Sequence, residues 1–185
     1  MKCLVTGGCG FLGSHLVETL LSKNHKVTVI DDLSTGNLDN INIFKNKIKF
    51  VKADIASSNK IKKYFKNVDW VFHLAARADI VPSIENPKKY FEANVVGTFN
   101  ILQECRNKKI KKFIYIASSS SYGIPKQYPT SEKSLIDCKY PYALTKYLGE
   151  ELVMHWGKIY NLPVISLRCF NIYGTRSRTS GTYGA

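Results

Sequence analysis

Short apolar runs alternate with longer amphipathic stretches along almost the whole chain. The runs at 2–6, 26–31, 48–52, 70–74, 113–117 and 164–168 are rich in Val, Ile, Leu and Phe and too short for helices, so they read as buried strands. Between them, apolar positions recur at helical spacing at about 10–23, 58–66, 87–107 and 141–160, which predicts helices. In the first helix Phe11, Leu12, His15, Leu16, Thr19 and Leu20 carry this spacing, and in the third Val95, Val96, Phe99 and Leu102 lie on one side. Segments 32–40, 75–87 and 118–139 read as loops. Strands alternating with helices predict an α/β domain. Its expected form is a doubly wound parallel sheet, order 3-2-1-4-5-6, with helices on both faces and right-handed crossovers. Such a sheet binds ligands beyond the carboxyl ends of its strands.

Chemistry-bearing residues fall at those ends. Gly7, Gly10 and Gly13 follow the first strand and open the first helix in the spacing G-x-x-G-x-x-G. Gly7 allows a tight turn, Gly10 a close backbone approach to phosphates, and Gly13 close packing of helix on strand, while the helix N-terminus offers N–H groups and partial positive charge. Asp31 ends the second strand, about 20 residues on, as a dinucleotide fingerprint requires. A carboxylate there can hold both ribose hydroxyls and repel a 2′-phosphate, which favours NAD over NADP; the plainer reading is an aspartate capping a turn. Asp32, Ser34 and Thr35 can add contacts on the adenosine side, and Asp54 and Ile55 can face the adenine. The expected fold is therefore Rossmann-type, one NAD-binding domain over 1–185.

Tyr142 and Lys146 form Y-x-x-x-K on the last predicted helix, so both side chains share a face. A lysine cation nearby is expected to lower the tyrosine pKa and make it a general base. Ser118, Ser119, Ser120 and Ser121 follow the fifth strand, where one serine can hydrogen-bond a reacting hydroxyl and the others are plain turn residues.

The net charge is +13, from 27 basic and 14 acidic residues. The lysines are dispersed, which reads as solvated surface rather than a nucleic-acid interface. The tightest group is Lys108, Lys109, Lys111 and Lys112. A positive field is also expected to help draw in an anionic nucleotide sugar. The five cysteines, Cys3, Cys9, Cys105, Cys138 and Cys169, contain no C-x-x-C pair, which argues against a disulfide framework and a zinc site. Cys9 carries no expected catalytic role. With no run of 18 apolar residues and no signal-like leader, a cytoplasmic protein away from membranes is expected.

The chain resembles the NAD-dependent nucleotide-sugar epimerase/dehydratase family of extended short-chain dehydrogenases. The resemblance rests on T-G-G-C-G-F-L-G-S-H-L at 6–16, D-D-L-S-T-G at 31–36, H-L-A-A at 73–76, S-I-E-N-P at 83–87 and N-V-V-G-T at 94–98. It continues in A-S-S-S-S-Y-G at 117–123, P-Y-A-L-T-K at 141–146 and L-R-C-F-N-I-Y-G at 167–174. It implies that Gly7, Gly10, Phe11 and Leu12 hold the NAD pyrophosphate, and that Leu74, Ala75, Ala76 and Asn94 line the cofactor. Tyr142 would be the base and Lys146 its partner. Ser119, counted from Ala117, would be the catalytic and substrate-binding serine, with Ser118 and Ser120 as alternatives. Asn171 would approach the diphosphate of a UDP-linked sugar. Dehydratases resemble this chain but carry Thr-Asp-Glu after the fifth strand, where this sequence has serines, so a 4-epimerase is the first expectation. The alternatives are a dehydratase or decarboxylase of the same family, or a non-catalytic NAD-binding protein.

Relatives usually continue well over a hundred residues further. The resemblance therefore implies an absent C-terminal substrate-binding part, apolar surface left exposed by its absence, and weak or no catalysis by this chain alone. It also implies a possible homodimer through the helices at 87–107 and 141–160.

Overall fold

The computed structural model describes residues 1–106 and 108–177. Six strands, β1 (Lys2–Thr6), β2 (Lys26–Asp31), β3 (Ile48–Lys52), β4 (Trp70–His73), β5 (Lys112–Ser118) and β6 (Val164–Cys169), form one sheet in the order β3-β2-β1-β4-β5-β6. Every neighbouring pair is parallel. The helices are α1 (Phe11–Ser22), α2 (Ser58–Ile61), α3 (Val81–Glu85), α4 (Pro87–Phe91), α5 (Gly97–Cys105) and α6 (Pro141–Tyr160). This is the expected Rossmann-type arrangement.

Three stretches depart from expectation. The helix predicted at 58–66 is α2 followed by a tighter 3-10 turn, Lys62–Phe65. The helix predicted at 87–107 divides into α4, a wide π turn at Glu92–Val96, and α5; its expected last residue, Asn107, lies outside the described residues. The loop predicted at 75–87 contains α3, a single short turn of helix with Pro82 at its start, too brief to show an amphipathic period.

Alternation along β1 builds two cores. Leu4 points to one face, with Ile61, Phe65, Ile101, Phe113 and Trp156. Cys3 and Val5 point to the other, with Val17, Leu20, Val27, Val29 and Ile41. At the β6 edge, Ile165 and Leu167 remain 48% and 44% exposed.

The packing of α6 on β5 positions the chemistry. A Cβ at Gly149 would collide with the Tyr115 hydroxyl, so the missing side chain lets the helix lie close to the strand. Lys146 is thereby buried to 4% exposure. Its Nζ donates to the Ile116 carbonyl at 2.6 Å and sits 4.4 Å from the Tyr115 ring centroid. Burial disfavours the ammonium and pushes the Lys146 pKa down to about 7.

An unfolded lysine titrates near about 10.4, so between those values the unfolded chain binds more protons and this residue's contribution to stability rises with pH. Lys146→Met removes that dependence. The difference in urea midpoint, variant minus wild type, is expected to be largest at about pH 6 and to shrink towards about pH 9. A difference independent of pH would mean that Lys146 pays no charge penalty in the fold.

Candidate active site

The turn between β1 and α1 is built by contacts that only glycine permits. Gly7 has φ +71°, and a Cβ on it would lie 2.7 Å from the Ala75 nitrogen beyond β4. A Cβ on Gly13 would collide with the Gly7 carbonyl oxygen. The Gly10 N–H donates to that same oxygen at 3.1 Å. No side chain caps α1 at Gly10, so its first-turn N–H groups are left for a ligand. This cradle, which side chains would fill, fits a dinucleotide pyrophosphate.

A cleft runs from the cradle along the ends of β2 and β3. Gly7, Gly10, Asp31, Asp32, Ser34, Thr35, Asp54, Ile55, Leu74, Ala75 and Ala76 line it, as expected from sequence, together with Gly36 and Arg77. Asp31 is 7% exposed. Its Oδ2 accepts from the Cys9 N–H and its Oδ1 from the Leu33 N–H, each at 2.9 Å. It thus does cap a turn, one in which Leu33 takes a left-handed φ of 63°. Burial raises the Asp31 pKa while the two backbone donors oppose the rise. Cys9 is fully buried, and its thiol is pushed up to about 12, chiefly by burial, which leaves it a poor nucleophile.

Asn94 does not line this cleft. It is 1% exposed within the π turn. Its Oδ1 accepts from the Arg77 N–H at 2.7 Å, and its Nδ2 donates to the Arg77 carbonyl at 3.1 Å and to Thr145 Oγ1 at 3.0 Å. It fixes the segment that lines the cleft. Below it runs a buried relay. The Ala75 N–H meets Thr6 Oγ1 at 3.2 Å, Thr6 Oγ1 lies 2.7 Å from His73 Nδ1, and His73 Nε2 lies 2.9 Å from Thr98 Oγ1. The Thr98 hydroxyl donates to the Asn94 carbonyl at 2.6 Å, so Thr98 accepts from Nε2–H, and a neutral ring then leaves Nδ1 to accept from the Thr6 hydroxyl. Burial pushes the His73 pKa down to about 3, in keeping with that tautomer.

Beyond the cradle the cleft widens into a cavity of about 750 Å³. Phe11, Leu12, Gly13, Ser118, Ser119, Ser120, Tyr122, Tyr142, Cys169 and Asn171 are among its lining residues. Tyr142 donates to Ser118 Oγ at 3.3 Å, and Ser118 and Ser120 share a 2.7 Å hydrogen bond. The serine on the tyrosine is therefore Ser118, not the expected Ser119. The cause is register: β5 runs one residue further than predicted, and Ser119 already belongs to the 3-10 turn Ser119–Tyr122.

The expected effect of Lys146 on Tyr142 is also corrected. Burial raises the Tyr142 pKa, partly opposed by its bond to Ser118. Lys146 does not line the cavity, because its ammonium is turned to the Ile116 carbonyl beneath the floor.

Sequence reasoning missed a clamp around the serine turn. Arg168 on β6 donates from Nε to both Glu150 oxygens, at 3.0 and 2.9 Å, and from Nη1 to the Tyr122 hydroxyl at 3.0 Å. Glu150 continues the Tyr142–Lys146 face of α6 by another turn and is 6% exposed. The available signal was spacing alone: Glu150 lies four residues after Lys146, and Arg168 sits in the L-R-C-F-N motif.

No group of three residues able to hold a metal ion, and no helix long and apolar enough to cross a membrane, occurs among the described residues.

Comparison with known proteins agrees with this geometry. A UDP-glucose 4-epimerase of Mycolicibacterium smegmatis is 36% identical over 189 residues, covering 100% of this chain and 60% of that protein. The UDP-glucose 4-epimerase of Thermotoga maritima, solved with UDP-glucose, superposes with a TM-score of 0.94 at 32% identity, over 100% of this chain and 60% of that one. The Thermus thermophilus UDP-glucose 4-epimerase, solved with NAD, gives 0.92 at 34% identity, with the same coverage of 100% and 60%. The chain thus spans about 60% of the length of such relatives. Residues 3–184 match the NAD dependent epimerase/dehydratase family, and the chain belongs to that family.

Proposed function

We propose that this chain is the NAD-binding portion, residues 1–185, of a nucleotide-sugar 4-epimerase acting on a UDP-linked sugar. The observation that carries the reading is one continuous crevice. A glycine cradle and Asp31 mark one half, and the hydrogen-bonded pair Tyr142–Ser118 marks the other. The cradle and the first turn of α1 would hold the NAD pyrophosphate, and Asp31 the adenosine ribose through its remaining lone pairs. NAD supplies a reversible hydride acceptor.

The remaining steps belong to the chain. Tyr142, as phenolate, takes the proton of the sugar 4-hydroxyl as C4 is oxidised to a ketone. Ser118 bonds the reacting oxygen and, through Ser120, keeps its own hydroxyl oriented. Lys146, in this reading, turns from the Ile116 carbonyl and holds the nicotinamide ribose. Asn171 meets the diphosphate. The keto sugar re-presents its other face, C4 takes the hydride back on that face, and Tyr142 returns the proton to the oxygen. Elimination by a dehydratase needs a carboxylate acid–base pair, and the turn after β5, Ser119–Tyr122, carries no carboxylate. Phe91, Phe99, Leu144 and Met154 stay exposed on α4, α5 and α6, which supports a homodimer through those helices.

Calorimetric titration with NAD and NADP is expected to show selective NAD binding, weakened by about 10- to 100-fold in Asp31→Ala, the scale of lost charge-assisted hydrogen bonds. Equal binding of both cofactors would overturn the ribose role. Because Asp31→Ala also frees the Cys9 and Leu33 N–H groups, its melting temperature is expected to fall as well.

In the complete protein, with the C-terminal part that this chain lacks, reduction of bound NAD on mixing with UDP-glucose, followed by NADH absorbance, is expected to slow by roughly 10²- to 10⁴-fold in Tyr142→Phe. A large loss is also expected in Ser118→Ala, with little change in Ser119→Ala. The reverse order for the two serines would restore Ser119.

A further inference from the structure

Six lysines from two separate stretches of sequence are gathered by the fold. The segment before β4 contributes Lys62, Lys63 and Lys66, and the segment before β5 contributes Lys108, Lys109 and Lys111. These segments lie more than forty residues apart in sequence, yet their six lysines line one surface cavity of about 750 Å³ with Phe65, Asn67, Val68 and Asp69. Both segments lead into amino ends of strands, so this cavity is at the opposite end of the sheet from the NAD crevice. The seven residues of β5, Lys112–Ser118, separate the two ends by roughly 20 Å at about 3.3 Å per residue. That exceeds the Debye length of about 8 Å in physiological salt. This cluster therefore cannot serve the expected steering of a nucleotide sugar into the crevice.

Local acids neutralise it only in part. Asp69 is held by Lys111 at 2.8 Å and by the Lys2 N–H at 2.8 Å, and Glu104 is held by Lys108 at 3.0 Å. Lys63 lies over the Tyr64 ring. No hydrogen bond or ion pair joins the ammonium groups of Lys62, Lys66 or Lys109 to a described residue. Like charges gathered in a concavity with low-dielectric walls repel each other and focus a positive potential into it.

We propose that this cavity is an anion site for a chain of linked phosphates, such as inorganic tripolyphosphate or a longer polyphosphate. Lysines bind phosphate as point charges from several directions, which suits a flexible chain of repeated charges. Phe65 and Val68 form a buried floor, so the cavity has no exposed ring on which a nucleic-acid base can stack and no apolar side chain to enter a membrane.

The test is titration of the whole chain, saturated with NAD so that the crevice does not compete, with orthophosphate, tripolyphosphate, long-chain polyphosphate and a short DNA duplex. Affinity is expected to rise from orthophosphate to tripolyphosphate to polyphosphate and to fall with added salt. The charge-reversed pair Lys66→Glu/Lys109→Glu is expected to weaken tripolyphosphate at least tenfold. The control pair Lys126→Glu/Lys133→Glu, with the same change in net charge and a distant location, is expected to weaken it less than twofold. Retained NAD affinity in the first pair shows that it is folded. Equal losses in both pairs would reduce the effect to net charge and overturn the site. Tighter binding of the duplex than of polyphosphate would overturn the phosphate chain in favour of nucleic acid.

Discussion

The crevice depends on how closely two stretches of backbone approach each other. Where β1 ends, Gly7 sits against Ala75 at a distance that leaves no room for a Cβ, and Gly13 brings α1 against the Gly7 carbonyl in the same way. These contacts set the height of the helix N-terminus over the sheet and hence the position of its N–H groups. Because β1 and β4 are hydrogen-bonded neighbours, with Thr6 opposite His73, the approach also fixes where the 74–77 segment begins. A single methyl group at Gly7 would push apart the cradle and the wall that faces it.

Beneath this contact the polar interior is arranged to hold the walls still. The relay from Ala75 through Thr6, His73 and Thr98 to Asn94 joins β1, β4 and α5 with every donor used. Asn94 then closes on both backbone groups of Arg77. At the other end of the crevice Arg168 joins β6, α6 and the serine turn through Glu150 and Tyr122. Buried polar groups are costly unless they are satisfied, and these are satisfied by groups from different elements, which ties the elements together.

Much of this was legible in the sequence. The strands were, because their apolar runs are bounded by breakers and their alternation with helices permits few topologies. Helix α6 was legible at both ends: Pro141 stands in its first turn, and Asn161 stops it in a left-handed conformation. The cradle was legible because its glycines are the cause of its geometry. What failed was set by distant partners. The π turn at Asn94 is tied to the backbone of Arg77, seventeen residues earlier. Four identical serines carry no register of their own, and only the true end of β5 puts Ser118 on Tyr142. Helical spacing placed Lys146 on the face of Tyr142 but could not reveal that a backbone carbonyl claims its ammonium. The lysine cavity is likewise visible only once the fold has brought the ends of two strands together.

Asp31 shows how tightly cofactor choice can be bound to folding. The carboxylate that would discriminate NAD from NADP is also the acceptor for the glycine turn and for the strained Leu33 turn. A substitution that opened room for a 2′-phosphate would remove both supports at once. Any lineage descending from this chain would have to rebuild two turns before it could exchange one cofactor for the other. A nucleotide preference set by Asp31 would thereby be shielded from drift by the stability of the fold, as well as by selection on the reaction.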